Sequence, residues 1–312
     1  MKLGTRLDKL MPFITPVGVA IGFLLGSVLS PFKPAVTYLF AYITLIGAMG
    51  MDLADFKAVL KRPFPLIAVF LCSHAALPAL TRLLAGLCFP GRTDIITGYV
   101  LLSSIPIAVS SYIWTSIFYG NGAVSLTVII IDTLLAPIVT PLTVKIFADT
   151  DVSIDTGSMI LSLFLMIVIP SLAGIILNHL SRNRLKNKVV PYGKPFSKLA
   201  LLGVISINAS QVAGRVAFGL GLIPIVLVNI MVTLSGFLLG YFAARLLRLD
   251  KDMRVSMTYT SGMRNISAAM VLAISFFPPD TSIPVVVGII LQQSAAAFIG
   301  YFLFTRKQSR TG

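Results

Sequence analysis

Two stretches of the chain place polar and helix-breaking residues in the middle of long apolar segments. Residues 257–267 read Met-Thr-Tyr-Thr-Ser-Gly-Met-Arg-Asn-Ile-Ser, and residues 102–112 read Leu-Ser-Ser-Ile-Pro-Ile-Ala-Val-Ser-Ser-Tyr. Pro106 and Gly262 favour local unwinding of a helix. Unwound backbone inside a membrane needs a cavity, an ion or a neighbouring helix to satisfy its polar groups. The two stretches therefore predict a pair of broken helices with a binding site beside them.

The composition around these stretches is that of a polytopic membrane protein. The chain has 312 residues, of which 56% are hydrophobic and 12% are charged, whereas about 25% of the residues in a soluble domain are charged. This excludes a disordered chain, a coiled coil and an ordinary cytosolic enzyme. The net charge of +14 requires no nucleic acid, because basic cytoplasmic loops produce such an excess. No metal, nucleotide or cofactor motif and no nucleophile elbow occurs in the sequence.

About ten apolar runs are long enough to cross roughly 30 Å of hydrocarbon, and each must be helical in lipid. They are Phe13–Leu29, Ala35–Leu53, Pro65–Ala85, Ile95–Phe118, Ala123–Ala148, Ser158–Leu180, Lys198–Val216, Pro224–Leu247, Met253–Phe276 and Ile283–Phe304. The first run has the basic residues of a signal peptide before it, but it is long for one and lacks a clean cleavage site. We therefore count it as a span.

The basic residues predict the orientation. Nineteen of the 25 Lys and Arg residues fall on one side of the ten spans and five on the other. The positive-inside rule then places both termini in the cytoplasm of a protein integral to the plasma (inner) membrane. The remaining basic residue, Arg264, lies near the middle of the ninth span.

The spans divide at the acidic loop 149–155 into a first repeat, residues 1–155, and a second repeat, residues 156–312. Five helices per half force the halves into opposite orientations, which is the inverted-repeat arrangement of secondary transporters. The fourth and ninth spans, which carry the two breaks, occupy equivalent places. The alternative is a pair of ordinary kinked helices, because glycine and proline are common in membrane helices.

Three sets of residues resemble motifs of the bile acid–sodium symporter family. Residues 47–56 read Gly-Ala-Met-Gly-Met-Asp-Leu-Ala-Asp-Phe, and residues 262–273 read Gly-Met-Arg-Asn-Ile-Ser-Ala-Ala-Met-Val-Leu-Ala. The third set is Ser110-Ser-Tyr, Tyr119-Gly-Asn-Gly and residues 134–141, Leu-Leu-Ala-Pro-Ile-Val-Thr-Pro. The resemblance implies a panel domain of spans 1, 2, 6 and 7 and a core domain of spans 3–5 and 8–10, with broken spans 4 and 9 crossing. It also implies alternating-access transport of organic anions, usually driven by sodium.

The resemblance also implies which residues form the sites. Substrate contacts are expected at Ser110, Ser111, Tyr112, Arg264, Asn265, Ser267 and, on the seventh span, Asn208. The coupling-ion positions correspond to Ser73, Ser111, Tyr112, Ser125, Ile129, Thr260, Ser261, Met263 and Arg264, with Asp132 as a further candidate. Five of these depart from the family: Ser73, Tyr112, Ile129, Thr260 and Arg264 stand where the resemblance expects an amide, an amide, a hydroxyl, a carboxylate and an amide.

These departures predict that sodium does not bind. A hard cation prefers several oxygen ligands, and Arg264 carries a permanent positive charge in their place. We interpret Arg264 as a tethered substitute for sodium that donates to backbone carbonyls. A charge near the bilayer centre costs at least about 2.5–3.5 kcal/mol and is normally paired. Asp132 is the predicted partner; in the alternative, Arg264 only staples helices and Asp132 caps another group.

The sequence thus predicts a membrane transporter, not an enzyme, that carries a small organic anion through the lipid bilayer without sodium. One alternative is proton coupling through Asp132, because an unpaired buried carboxylate can take up a proton. Another is a non-transporting receptor built on a transporter scaffold. His74 could shuttle protons, although a lone histidine in a packed helix is more often simply hydrogen-bonded. Substrate identity, transport direction and oligomeric state stay open.

Overall fold

The computed structural model describes residues 17–50, 63–148, 155–211, 213 and 220–305. Regular structure in this part of the chain is helical, apart from one isolated pair of bridged residues. The prediction of an all-helical membrane protein is therefore confirmed. The start of the first predicted span, the ends of the second and seventh, and most of the acidic loop lie outside the described residues.

The α-helices are numbered here in chain order. They are α1 (Gly26–Leu29), α2 (Ala35–Met49), α3 (Pro63–Leu71), α4 (Leu77–Cys88), α5 (Thr93–Ser104), α6 (Ser110–Ile117), α7 (Gly122–Phe147), α8 (Thr156–Leu163), α9 (Ile169–Leu180), α10 (Arg184–Lys188), α11 (Val190–Ser210), α12 (Ile223–Leu246), α13 (Lys251–Gly262), α14 (Ile266–Phe276) and α15 (Ser282–Gly300). Residues 17–24 are also helical. The π-helical turns Cys72–Ala76 and Phe164–Val168 join α3 to α4 and α8 to α9.

Five continuous helical stretches are long and apolar enough to cross a membrane. They are Pro63–Cys88, Gly122–Phe147, Thr156–Leu180, Ile223–Leu246 and Pro279–Phe304, and they match the third, fifth, sixth, eighth and tenth predicted spans. Gly26–Phe32 and Ala35–Met49 form a pair bent by 70°, which counts as a sixth if it is one span. The total of ten spans and the repeat boundary at residue 155 stay predictions.

The fourth and ninth predicted spans are each interrupted near the middle. The first break separates α5 from α6 and contains Pro106, which has no backbone N–H to continue a helix. The second break separates α13 from α14 and directly follows Gly262. A Cβ atom at Gly262 would lie 2.2 Å from the ring of Phe237 on α12. A side chain at this position would therefore push α12 away from the break.

The helices pack around two centres. In one, α2 packs against α9 and α11; in the other, α12 packs against α4, α13 and α15, and α5 packs against α4 and α15. The panel and core domains implied by the family resemblance stay a prediction. The breaks in α5–α6 and α13–α14 lie in the second group, so the crossing of the broken helices is supported by long, continuous helices.

Close packing of α12 on α13 generates a stability prediction. A Cβ atom at Gly240 would lie 2.3 Å from the carbonyl oxygen of Met257. We expect Gly240→Ala to lower the free energy of unfolding by about 1–3 kcal/mol, the usual cost of overpacking. The measurement is unfolding in mixed detergent micelles.

Gly47→Ala is the control, since no atom lies within 4 Å of a Cβ atom at Gly47 in α2. We expect it to leave stability unchanged or to raise it slightly, because alanine favours a helix. Equal losses in the two variants would contradict the packing of α12 on α13 described above.

Candidate functional site

The two linkers between the half-helices lie antiparallel and pair through their backbones. Ala108 N–H donates to the carbonyl of Met263 at 3.0 Å, and Asn265 N–H donates to the carbonyl of Pro106 at 2.8 Å. The breaks remove these groups from helical hydrogen bonding, and a buried backbone group without a partner is costly. Each linker therefore supplies hydrogen-bond partners for backbone groups of the other. We call this arrangement, linker residues 105–109 and 263–265, the crossing.

The Arg264 side chain is buried at the crossing, with 3% of the residue exposed. Nη2 donates to the Ser261 carbonyl at 2.7 Å, and Nη1 lies 3.5 Å from the Ile105 carbonyl. Both carbonyls lie where a first half-helix ends, α13 and α5 respectively, and a helix end leaves carbonyls without intrahelical partners. The guanidinium is therefore at the negative ends of two helix dipoles, which favour a cation.

Gln292 fixes the backbone of Arg264. Its Oε1 accepts from Arg264 N–H at 2.7 Å, and its Nε2 donates to the Arg264 carbonyl at 3.0 Å. The amide thus satisfies both backbone groups of one residue in the unwound linker, and it does so from α15. Sequence analysis did not place Gln292 in the site, because a mid-span glutamine carries no sign of which backbone it will meet.

Asp132 on α7 is buried, with 1% of the residue exposed. Its Oδ1 lies 2.5 Å from His74 Nε2, and its Oδ2 accepts from Ile107 N–H at 2.5 Å. The predicted direct ion pair with Arg264 is wrong. In the described structure the Asp132 carboxylate bonds to His74 and to the N–H of Ile107, which the break removes from helical hydrogen bonding. The guanidinium of Arg264 contacts carbonyls instead.

His74 reaches Asp132 from a π-helical turn, Cys72–Ala76. Such a turn inserts one residue into an α-helix and is frequent at functional sites. Asp132 and Arg264 still interact through their opposite charges. When His74 is neutral, these two charges cancel, so the buried crossing carries no net charge, as a low-dielectric environment favours.

A cavity opens beside the crossing, between α2 and α9 on one side and α7 with both linkers on the other. Its lining residues are Thr44, Ala48, Ile107, Val109, Ile129, Ile130, Thr133, Leu134, Ile167, Ser171, Ile175 and Asn265. An apolar wall with a few polar groups is typical of sites for small organic molecules.

The expected substrate contacts lie in four places. Asn265 lines this cavity, and its Oδ1 accepts from Ala268 N–H at 3.4 Å, which caps α14. The residues in the first turns of α6 and α14, beside the crossing, are Ser110, Ser111, Tyr112 and Ser267. Arg264 faces carbonyls and is not among the cavity's lining residues. Asn208 lines a separate pocket.

Most oxygens at the expected ion positions already have partners. The Ser125 hydroxyl is 3.1 Å from another hydroxyl, and the Thr260 hydroxyl donates within its own helix at 2.8 Å. The carbonyls of Ser261 and Met263 accept the hydrogen bonds described above, and Ile129 is an apolar wall of the cavity. The hydroxyls without a partner among the described residues at these positions are those of Ser73, Ser111 and Ser261.

The charge balance at the crossing generates a second prediction. Asp132→Asn leaves the Arg264 guanidinium buried without a compensating charge, which we expect to cost about 3–5 kcal/mol of unfolding free energy. Arg264→Gln in turn leaves the Asp132 carboxylate buried without a compensating charge. We expect the double variant to lose less than the sum of the two single losses, because it removes both charges. Unfolding in mixed micelles measures the cycle.

Asp280→Asn is the matched control, since this carboxylate is 49% exposed and its nearest cation, Arg92, is 3.9 Å away. We expect a change of about 0–1 kcal/mol from an exposed pair. Strictly additive losses in the Asp132 and Arg264 cycle would show that the two buried charges do not compensate each other.

Comparisons with known proteins identify the family of the chain. The profile of the Sodium Bile acid symporter family matches residues 40–218. The uncharacterized protein YbaS of Bacillus subtilis (strain 168) is 34% identical over 94% of this chain and 96% of its own length. The uncharacterized sodium-dependent transporter YocS of the same organism is 28% identical, over 81% of this chain and 80% of its own. The probable sodium/metabolite cotransporter BASS1, chloroplastic, of Arabidopsis thaliana is 28% identical, over 90% and 70%. The chain belongs to the sodium bile acid symporter family.

Proposed function

We propose that the protein is a secondary transporter that carries a small organic anion across a membrane by alternating access, without sodium. The names of its relatives support transport of a metabolite, since two of them are described as a sodium-dependent transporter and a sodium/metabolite cotransporter. The proposal departs from those names on one point, the coupling ion. The reason lies at the crossing.

The observation that carries the proposal is the position of the Arg264 guanidinium. It donates to the carbonyls of Ser261 and Ile105, which are the groups a cation between two broken helices would neutralise. A second cation at this position would meet a permanent charge at close range, and such repulsion is strong in a low dielectric. The residues present suit sodium poorly, because the expected ion positions offer three buried hydroxyls without a partner, while the Asp132 carboxylate is already bonded to His74 and Ile107 N–H and sodium prefers several oxygen ligands.

The cavity supports an organic anion as the substrate. Its apolar residues suit a carbon skeleton, and Asn265 supplies an amide at its wall. The second half-helices α6 and α14 both begin beside it, at Ser110 and Ile266. The N-terminal end of a helix is a ready site for an anionic group. A small carboxylate could therefore direct its charge at the crossing and its apolar body at α2 and α9.

Uptake into proteoliposomes tests the proposal. Labelled pyruvate, pantothenate and taurocholate serve as probes, each in sodium, potassium or choline buffer. We expect equal initial rates in the three cations for any probe that is transported. Sodium-stimulated uptake would contradict the proposal, and binding of a probe without any flux would favour the receptor alternative.

Arg264→Gln gives the residue-level test. It leaves two buried carbonyls without their charged donor, at a cost of about 1.5–3 kcal/mol. We expect uptake to fall by about tenfold or more, since 1.36 kcal/mol is a factor of ten in rate. Arg245→Gln makes the same chemical change at an exposed position of α12 and is expected to keep full activity. Full activity of Arg264→Gln would contradict the assigned role.

The His74–Asp132 pair favours a second candidate, proton coupling. With His74 neutral, the crossing is neutral, and an anionic substrate adds one negative charge beside it. A proton on the pair restores neutrality in a medium where net charge is costly. Histidine is the side chain suited to exchanging a proton near neutral pH. One anion would then move together with one proton.

A pH gradient across the vesicle distinguishes proton coupling from uniport. We expect an alkaline interior to accelerate uptake by the wild type, because protons then move inward with the anion. His74→Gln and Asp132→Asn should both abolish this acceleration. His179→Gln changes the other histidine of the chain, which is exposed at the end of α9, and should leave the acceleration intact. A gradient without effect on the wild type would remove the proton from the mechanism.

A further inference from the structure

A second pocket lies away from the crossing, between the start of α2, α11 and the end of α14. It has about 420 Å³ of empty space, including its opening, and its walls include Val36, Val271 and Ile274. Ile274 follows Asn265 by nine residues, so the two pockets are about 13 Å apart along α14. They share no lining residue.

Three groups at this second pocket can supply it with positive potential. Lys33 lines it, and its Nζ donates to the Ile274 carbonyl at 3.1 Å, which leaves two further N–H donors. Asn208 on α11 lines it with 2% of the residue exposed, and its Nδ2 has no acceptor among the described residues. The 15-residue helix α2 begins here at Ala35, with Val36 and Thr37 in the wall. A helix N-terminus favours an anion.

The hydrogen bond from Lys33 to the Ile274 carbonyl could be explained as a cation at the C-terminus of α14, which is a common arrangement. That explanation leaves the unpartnered amide nitrogen of Asn208 without a role. A buried amide nitrogen without an acceptor costs free energy, and the rule that such groups are bonded makes each exception informative. A turn of the Asn208 amide about its own axis presents the nitrogen to the pocket, since the two amide orientations differ in little else. No acidic side chain is among the residues that line it.

We propose that this second pocket binds the carboxylate of a small organic anion, between the Lys33 ammonium and the Asn208 amide, with the apolar body of the anion against Val36 and Val271. The anion binds at this site before it enters the central cavity or after it leaves it. This part of the proposal rests on the proposed function. Binding at Lys33 itself does not require transport. The two ideas can therefore fail separately.

Fluorine NMR of the purified protein with 4-fluorobenzoate tests the site, and 4-fluorobenzamide is its neutral counterpart. We expect the wild type to bind the benzoate and to bind the amide at least about tenfold more weakly, because a charged hydrogen bond is lost. Lys33→Gln and Asn208→Leu should each weaken benzoate binding by about tenfold. Lys145→Gln removes one exposed charge on α7, outside the pocket, and should change nothing.

Arg264→Gln separates this proposal from the preceding one. We expect it to lower uptake by about tenfold or more while benzoate binding through Lys33 persists. Equal affinity of the wild type for benzoate and benzamide, or benzoate binding that survives Lys33→Gln, would overturn the second site and leave the transport proposal standing. Lys33 is exposed, so its substitution tests the site even if Asn208→Leu does not fold.

Discussion

The structure depends on one buried charge, the guanidinium of Arg264. A cation at this depth costs several kcal/mol unless it finds partners, and two interrupted helices cost more still, because each break exposes carbonyls and N–H groups. Both costs are reduced here, because the buried cation and the unpaired carbonyls serve as partners for each other. The guanidinium donates to carbonyls at both helix ends. Gln292 forms hydrogen bonds with the backbone N–H and carbonyl of the same residue.

Asp132 accepts a hydrogen bond from a backbone N–H at the break, as Arg264 donates to the carbonyls there. Its carboxylate binds Ile107 N–H in the first linker and His74 on the turn between α3 and α4. One side chain thus connects three parts of the core group of helices. The charges lie where the backbone needs them: a cation at carbonyls and an anion at an N–H. This division explains why the two residues compensate each other without touching.

The sequence was sufficient to predict the features that depend on local chemistry. Pro106 and Gly262 identified both breaks, and the cost of a charged residue in lipid identified Arg264 and Asp132 as members of a buried network. The partner of Asp132 could not be predicted, because it depends on how a π-helical turn rotates His74. Asn208 was assigned to the substrate cavity from the resemblance, and the structure instead places it in the wall of the second pocket, which Lys33, 175 positions away in the chain, also lines.

A covalently held cation has a thermodynamic consequence. If the proposed function holds, the Arg264 guanidinium returns with the protein at every cycle, whereas a bound sodium ion would be released on the far side and would bring the energy of its concentration difference with it. A carrier of this kind equilibrates its substrate and cannot accumulate it against a gradient. In the proton-coupled candidate, accumulation would instead be driven by a hydrogen ion that moves with the substrate on the imidazole–carboxylate pair of His74 and Asp132.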